Sequence, residues 1–193
     1  MTIWFTADTH FGHAKIIRYC NRPYASVEEM DADLVRRWNE RVAAEDTVWV
    51  LGDFALGRLE RSLAHAGRLS GRLRLVVGNH DRPFTRDAAR RARWEETYLR
   101  SGFETVEHGA VPFLLEGRHR VTLCHFPYAG DSQDTDRYLE RRPPDDGLPL
   151  VHGHVHEKWK VEGRQINVGV DVWDYAPASA AEVRALVHPV ATT

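Results

Sequence analysis

The sequence predicts an α/β fold, a layered sandwich with helices outside the sheets. Three observations carry this reading: short β-branched and aromatic runs recur along the chain, helical periodicity separates them in the first half, and further strand-like runs crowd the second half. With 193 residues the chain is long enough for one substantial core, and it reads as a single domain over 1–193.

The first strand is Ile3-Trp4-Phe5-Thr6. Ser26-Val27-Glu28-Glu29 then has the spacing of a capping box, and Val27, Met30, Leu34, Trp38 and Val42 follow at helical intervals, so a helix here covers one face of the sheet. Residues 48–51 give a second strand, Leu59, Leu63, Ala66 and Leu69 a second helix ending ahead of Gly71, and residues 73–77 a third strand. Residues 86–100 read as a charged helix. Strands are expected at about 106–111, 113–115, 120–123, 148–151 and 166–170. Residues 131–147, poor in apolar side chains, read as a surface loop that either faces substrate or is merely solvated. Ser179-Ala180-Ala181-Glu182 repeats the capping-box pattern before Val183, Leu186 and Val187, and fits a terminal helix or a short strand.

A net charge of -2 gives no global pull toward nucleic acid or anionic membranes. No apolar run approaches the roughly 20 residues that cross a bilayer, and the start of the chain has no basic stretch followed by an apolar helix. A soluble cytoplasmic protein is expected. Cys20 and Cys124, the two cysteines, give neither a disulfide framework nor a thiolate cluster, and Cys124 is expected to pack as a small apolar residue.

The chemistry lies just beyond the ends of the strands. Asp8 and His10 come after the first run, Asp53 after Gly52, Asn79, His80 and Asp81 after Gly78, then His125, and finally His154 and His156 after Gly153. Taken singly, each has a bland reading: a hydrogen-bonded histidine, or an aspartate or asparagine in a turn. Strands lying side by side would deliver all of them to one edge, where open sheets place ligands. Asp8 and His10, two residues apart, point the same way and can hold one cation, while the two oxygens of Asp53 can bridge two. Mixed nitrogen and oxygen donors without thiolate suit manganese, iron or zinc better than calcium.

The ordered set Asp8-Thr-His10, Gly52-Asp53-Phe54, Gly78-Asn79-His80-Asp81, His125 and Gly153-His154-Val155-His156 resembles the calcineurin-like metallophosphoesterases, whose pattern is Asp-x-His, Gly-Asp-x, Gly-Asn-His-Asp/Glu, a lone His and Gly-His-x-His. The likeness runs from near the first residue to Asn167-Val168-Gly169. It implies two mixed β-sheets packed together and flanked by helices. It also implies that Asp8, His10 and His156 bind one divalent ion, that Asn79, His125 and His154 bind a second, and that Asp53 bridges them. Manganese is favoured, with iron, zinc or nickel also suited. A metal-bound hydroxide would then attack the phosphoester.

On the same resemblance, His80 stands outside the ligand set and stabilises the phosphoryl group or protonates the leaving oxygen, with Asn79 beside it at the substrate and Asp81 orienting it. His13 has no place in the family's ligand set; the Gly12 turn can bring it to the substrate phosphate, the alternative being surface hydrogen bonding. The expected substrates are small phosphoesters or nucleotides, diesters ahead of monoesters; the alternative is a non-catalytic interaction module that keeps the fold. Arg82, Arg86, Arg90, Arg91 and Arg93 can draw an anion toward the site, but Glu95 and Glu96 dilute them and no nucleic-acid module is recognised, so nucleic acid is not favoured. Trp173, Asp174 and Tyr175 read as aromatic core packing rather than a partner surface.

Overall fold

Alternate residues of the first strands enter two different cores. In the computed structural model, which describes residues 1–187, Trp4, Val48, Val50, Leu73 and Leu75 pack toward helices, whereas Phe5, Trp49, Leu51 and Val76 pack toward a second sheet. A strand with period-2 side chains buried on both faces belongs in the middle layer of a sandwich.

The chain runs through β1 (Ile3–Thr6), α1 (Ala14–Tyr19), α2 (Val27–Arg41), β2 (Thr47–Val50), α3 (Leu59–Ser62), β3 (Arg72–Val76), α4 (Ala88–Arg100) and β4 (Phe103–Glu107). It continues through β5 (Val111–Leu115), β6 (His119–Leu123), β7 (Leu150–His152), β8 (Val161–Glu162), β9 (Gln165–Asn167), β10 (Ala178–Ser179) and α5 (Ala180–Leu186). The first sheet has the order β10-β1-β2-β3-β4, parallel except for β10; the second has the order β5-β6-β7-β9-β8, with β6, β7 and β9 parallel and both edges antiparallel. Two mixed five-stranded sheets thus face each other, as expected.

Helix α2 starts where Ser26 accepts a hydrogen bond from the Glu29 amide, and it buries Met30, Leu34 and Trp38 on the sheet. Glu29 closes its side of the cap on the Ala25 amide rather than that of Ser26. Downstream, the expected helix from Leu59 is α3 followed by a tighter 3-10 stretch, Leu63–Arg68. The strand expected at 106–111 lies earlier, as β4: Phe103 pairs with Leu73 and is buried, and Gly109, at φ +75°, turns the chain over to the second sheet. The strand expected at 166–170 ends at Asn167, because the Asn167 side chain takes the Gly169 amide and the Val170 amide bonds to Ala7. Both readings of the last segment hold in succession, β10 and then α5 with a full Ser179–Glu182 capping box. α1 and the two-residue β8 were not expected.

Cys124 is buried beside Phe126 and Leu150. Trp173 is buried between the sheets, its indole N–H donating to the Asn167 carbonyl. No described helix is long and apolar enough to cross a membrane.

Candidate metal centre

The loops after β1, β2 and β3 of one sheet and after β6 and β7 of the other meet at one edge of the sandwich. A parallel bridge between Ala7 and Gly169 joins the two sheets there. Asp8, His10, Asp53 and Asn79 come from the first sheet, His125, His154 and His156 from the second.

The backbone at this edge is unusual. Asp8 (φ 56°), His10 (52°), Asp53 (54°), His154 (73°) and His156 (52°) are all left-handed, a conformation that costs a non-glycine residue about 1–2 kcal/mol. Tertiary bonds hold them there. The buried Arg22 guanidinium bonds to the carbonyls of Asp8 and Thr9 and pairs through two bonds, 2.8 and 2.9 Å, with Asp171. Asp8 in turn accepts the His154 amide, 2.9 Å, and Asn167 donates to the carbonyls of His156 and Trp159. Gly52 and Gly78 are required by close approach: a Cβ on either would fall within 2.4 Å of His125 or Asp53.

Two groups of donors result. Asp8, His10, Asp53 and His156 offer ligand atoms that lie within 4.8 Å of one another. In the second group, Asn79 Oδ1 stands 3.0 Å from both His125 Nε2 and His154 Nδ1. Asp53 Oδ2 belongs to both, 3.8 Å from His10 Nε2 and 3.6 Å from His125 Nε2, while its Oδ1 accepts the His80 amide.

Electron pairs converge here without protons to share. His125 Nδ1 faces the Leu51 carbonyl at 2.8 Å and His154 Nε2 faces Asp131 Oδ2 at 3.0 Å, so each ring carries its N–H on that side and turns a lone pair toward the Asn79 oxygen. His10 Nε2 and His156 Nε2 face each other at 3.2 Å, and the buried Asp8 Oδ1 has no hydrogen-bond partner among the described residues. Burial also keeps three of the rings neutral, with His10 held well below the usual histidine range, His154 at about 4 and His156 at about 3. Burial and the nearby Asp53 and Asp171 charges raise the Asp8 carboxyl; Asp53 is lowered despite burial, by His125 and His80. Lone pairs and carboxylates packed this closely fit divalent cations.

The remaining expected residues divide. His80 is exposed at the mouth, its ring 5.4 Å from that of His10, and His13 lies 5.3 Å from His10 and 6.4 Å from His80. Asp81 is buried, and its carboxylate accepts the amides of Asp53, Phe54 and Gly78 and the Tyr98 hydroxyl, so it ties the β2 and β3 loops together. Burial and the Asp53 charge push its carboxyl up to about 7.

Sequence reasoning missed Asp131, Arg22 and Asp171. Only Asn167, a polar residue within an apolar run, carried a local signal. Asp131 is buried at the start of the 131–147 loop and also accepts from Arg137, 2.6 Å, so that the loop folds over the site rather than standing off in solvent.

The description of the calcineurin-like phosphoesterase superfamily domain matches residues 1–187. The Gene 66 proteins of Mycobacterium phages D29 and L5 are each 39% identical to this chain, over 97% and 88% of it and 96% and 86% of their own lengths. The crystal structure of AQ665 from Aquifex aeolicus superposes with a TM-score of 0.73 at 27% identity, covering 96% of this chain and 99% of that one. Matched along nearly its whole length, with the family's blocks gathered at one edge of its two sheets, the chain belongs to the calcineurin-like phosphoesterase superfamily.

Proposed function

We propose that the protein is a metal-dependent phosphodiesterase whose site holds two divalent ions. The carrying observation is the position of Asp53 Oδ2 between the two donor groups, within 3.8 Å of His10 and 3.6 Å of His125. Asp8, His10 and His156 would hold one ion and Asn79, His125 and His154 the other, with Asp53 shared. Such ions, manganese foremost, screen the charge on phosphate oxygens and lower the pKa of water.

The chain's own residues supply the rest. His80, exposed beside Asn79 at the mouth, holds the phosphoryl group and gives a proton to the departing oxygen. Asp81 positions it through the backbone, fixing the amides that shape both loops. His13 lines the same cleft and reaches the phosphate beside His80, and the Arg137 paired with Asp131 forms another wall. The domain acts as one unit on small phosphoesters, since both sheets complete the site.

Stripped protein reloaded with manganese is expected to hydrolyse bis(p-nitrophenyl) phosphate faster than p-nitrophenyl phosphate, and His80→Ala to lower kcat by about 10²–10⁴-fold at unchanged metal content. Absence of turnover with either ester, or an unaffected His80→Ala variant, sinks the reading. A monoester preference would leave the enzyme class and overturn the diester assignment.

A further inference from the structure

His80 stands on a divide between two clefts. One, of about 420 Å3, opens over His10, His13 and His156 and is walled by Arg137 and by Tyr19, which is 60% exposed. The other, of about 340 Å3, lies against Asn79, Arg82 and Phe84. A third, of about 480 Å3, shares Arg90 as a wall with the second and lies on α4 against Arg93 and Trp94. Each is of the size of a small-ligand pocket.

The α4 groove is basic and aromatic together. The Arg82 guanidinium lies 5.7 Å from the centre of the Trp94 ring, so a planar cation and an indole form one wall. Nearby acids are engaged elsewhere: Glu140 faces Arg86, Glu96 pairs with Arg100 and Glu95 with His108. Asp87, which lines the groove, caps α4 by accepting the Arg90 amide. Arg82, Arg90 and Arg93 therefore have no ion pair among the described residues. Three cations thus stand beside a half-buried indole, on α4 and on the loop that carries His80.

We infer that this groove is a nucleotide subsite, and that the substrate is a phosphodiester within a short single-stranded oligonucleotide. The scissile phosphate sits at the metal centre, one arm crosses toward Tyr19 and Arg137, and the other runs along α4 with its phosphates against Arg82, Arg90 and Arg93 and a base against Trp94. Arginine tracks interleaved with aromatic faces suit single strands, because each base offers a stacking face whatever its identity. Hydrolysis adds water across one P–O bond: the new oxygen joins phosphorus, the departing ester oxygen takes a proton, and a phosphomonoester and an alcohol result. The inference rests on the phosphodiesterase reading.

Fluorescence anisotropy of fluorescein-labelled hexathymidylate, with the full chain in EDTA, reads binding without cleavage. Trp94→Ala is expected to weaken it by roughly 5- to 150-fold, and Trp94→Phe to retain most of it. Arg90→Ala should reduce the slope of log affinity against log salt by about 0.7. With manganese, both Trp94 variants should hydrolyse bis(p-nitrophenyl) phosphate as the wild type does, since Trp94 does not line the cleft beside His80. No binding, or binding indifferent to Trp94→Ala and Arg90→Ala, overturns the subsite; if bis(p-nitrophenyl) phosphate is nonetheless hydrolysed, the phosphodiesterase reading stands. If the wild type hydrolyses neither ester nor oligonucleotide, that reading fails and the subsite falls with it.

Discussion

Asp131 fixes His154 from outside the donor set. Its carboxylate is held well below the usual range despite burial, by hydrogen bonds from Arg137 and His154, and so remains an acceptor that keeps the His154 proton on Nε2 and the lone pair on Nδ1. Outer partners of this kind set the orientation and basicity of a metal-binding imidazole. Asp131→Ala is expected to weaken manganese binding at the Asn79–His125–His154 group by about 10–100-fold with the fold intact. Calorimetric titration of stripped protein checks this, and an unchanged affinity would remove Asp131 from the account. The candidate donors themselves were legible because each comes after a strand, all but the lone His125 within a compact motif. Asp131 was not, since nothing local distinguishes it from other loop aspartates. Nor was the Arg22–Asp171 pair, whose members are 149 positions apart and meet only once both sheets are folded.

Strands were the most legible elements, because burial on both faces leaves dense β-branched runs with sharp polar ends. α1 escaped because its six residues bury only Ile16, too little for a period to show, and β8 because it is two residues long. Helix α5 was signalled by its cap, and the cap has a charge to test. Against the burial that would raise it, the Arg41 guanidinium and the Ser179 bonds hold the Glu182 carboxyl at about 2, below its ordinary 4.5. A carboxyl depressed in the folded state stabilises above its unfolded pKa, and that contribution is lost as pH falls through the folded one. Glu182→Gln, which can still cap, should cost about 0.5 kcal/mol at neutral pH, the group being partly solvated. Urea unfolding from pH 5 to 2 should find that deficit shrinking toward zero across the window from about 4.5 down to 2; a difference constant with pH would mean the charge contributes nothing.

At the scale of the molecule, the donor groups draw on both sheets, so any ion they hold acts as a further cross-link between layers already joined by apolar packing, the Ala7–Gly169 bridge and hydrogen bonds such as that from the His154 amide to Asp8. Binding to the native state alone adds stability by mass action, about 2.7 kcal/mol at a hundredfold excess over Kd. Manganese should therefore raise the Tm of stripped protein as one cooperative transition, and Asp53→Asn should remove most of that rise. Two separate transitions, only one of them shifted by the ion, would show that the layers unfold independently. The order of the donors along the chain has a consequence of its own. Asp8, His10 and Asp53 emerge from the ribosome more than a hundred residues before their partner His156 and the Asn167 that pins its loop. A nascent chain thus carries an incomplete cradle while those intervening residues are made, and since such sites rarely preexist in unfolded chains, commitment to a particular metal is deferred until His156 has emerged.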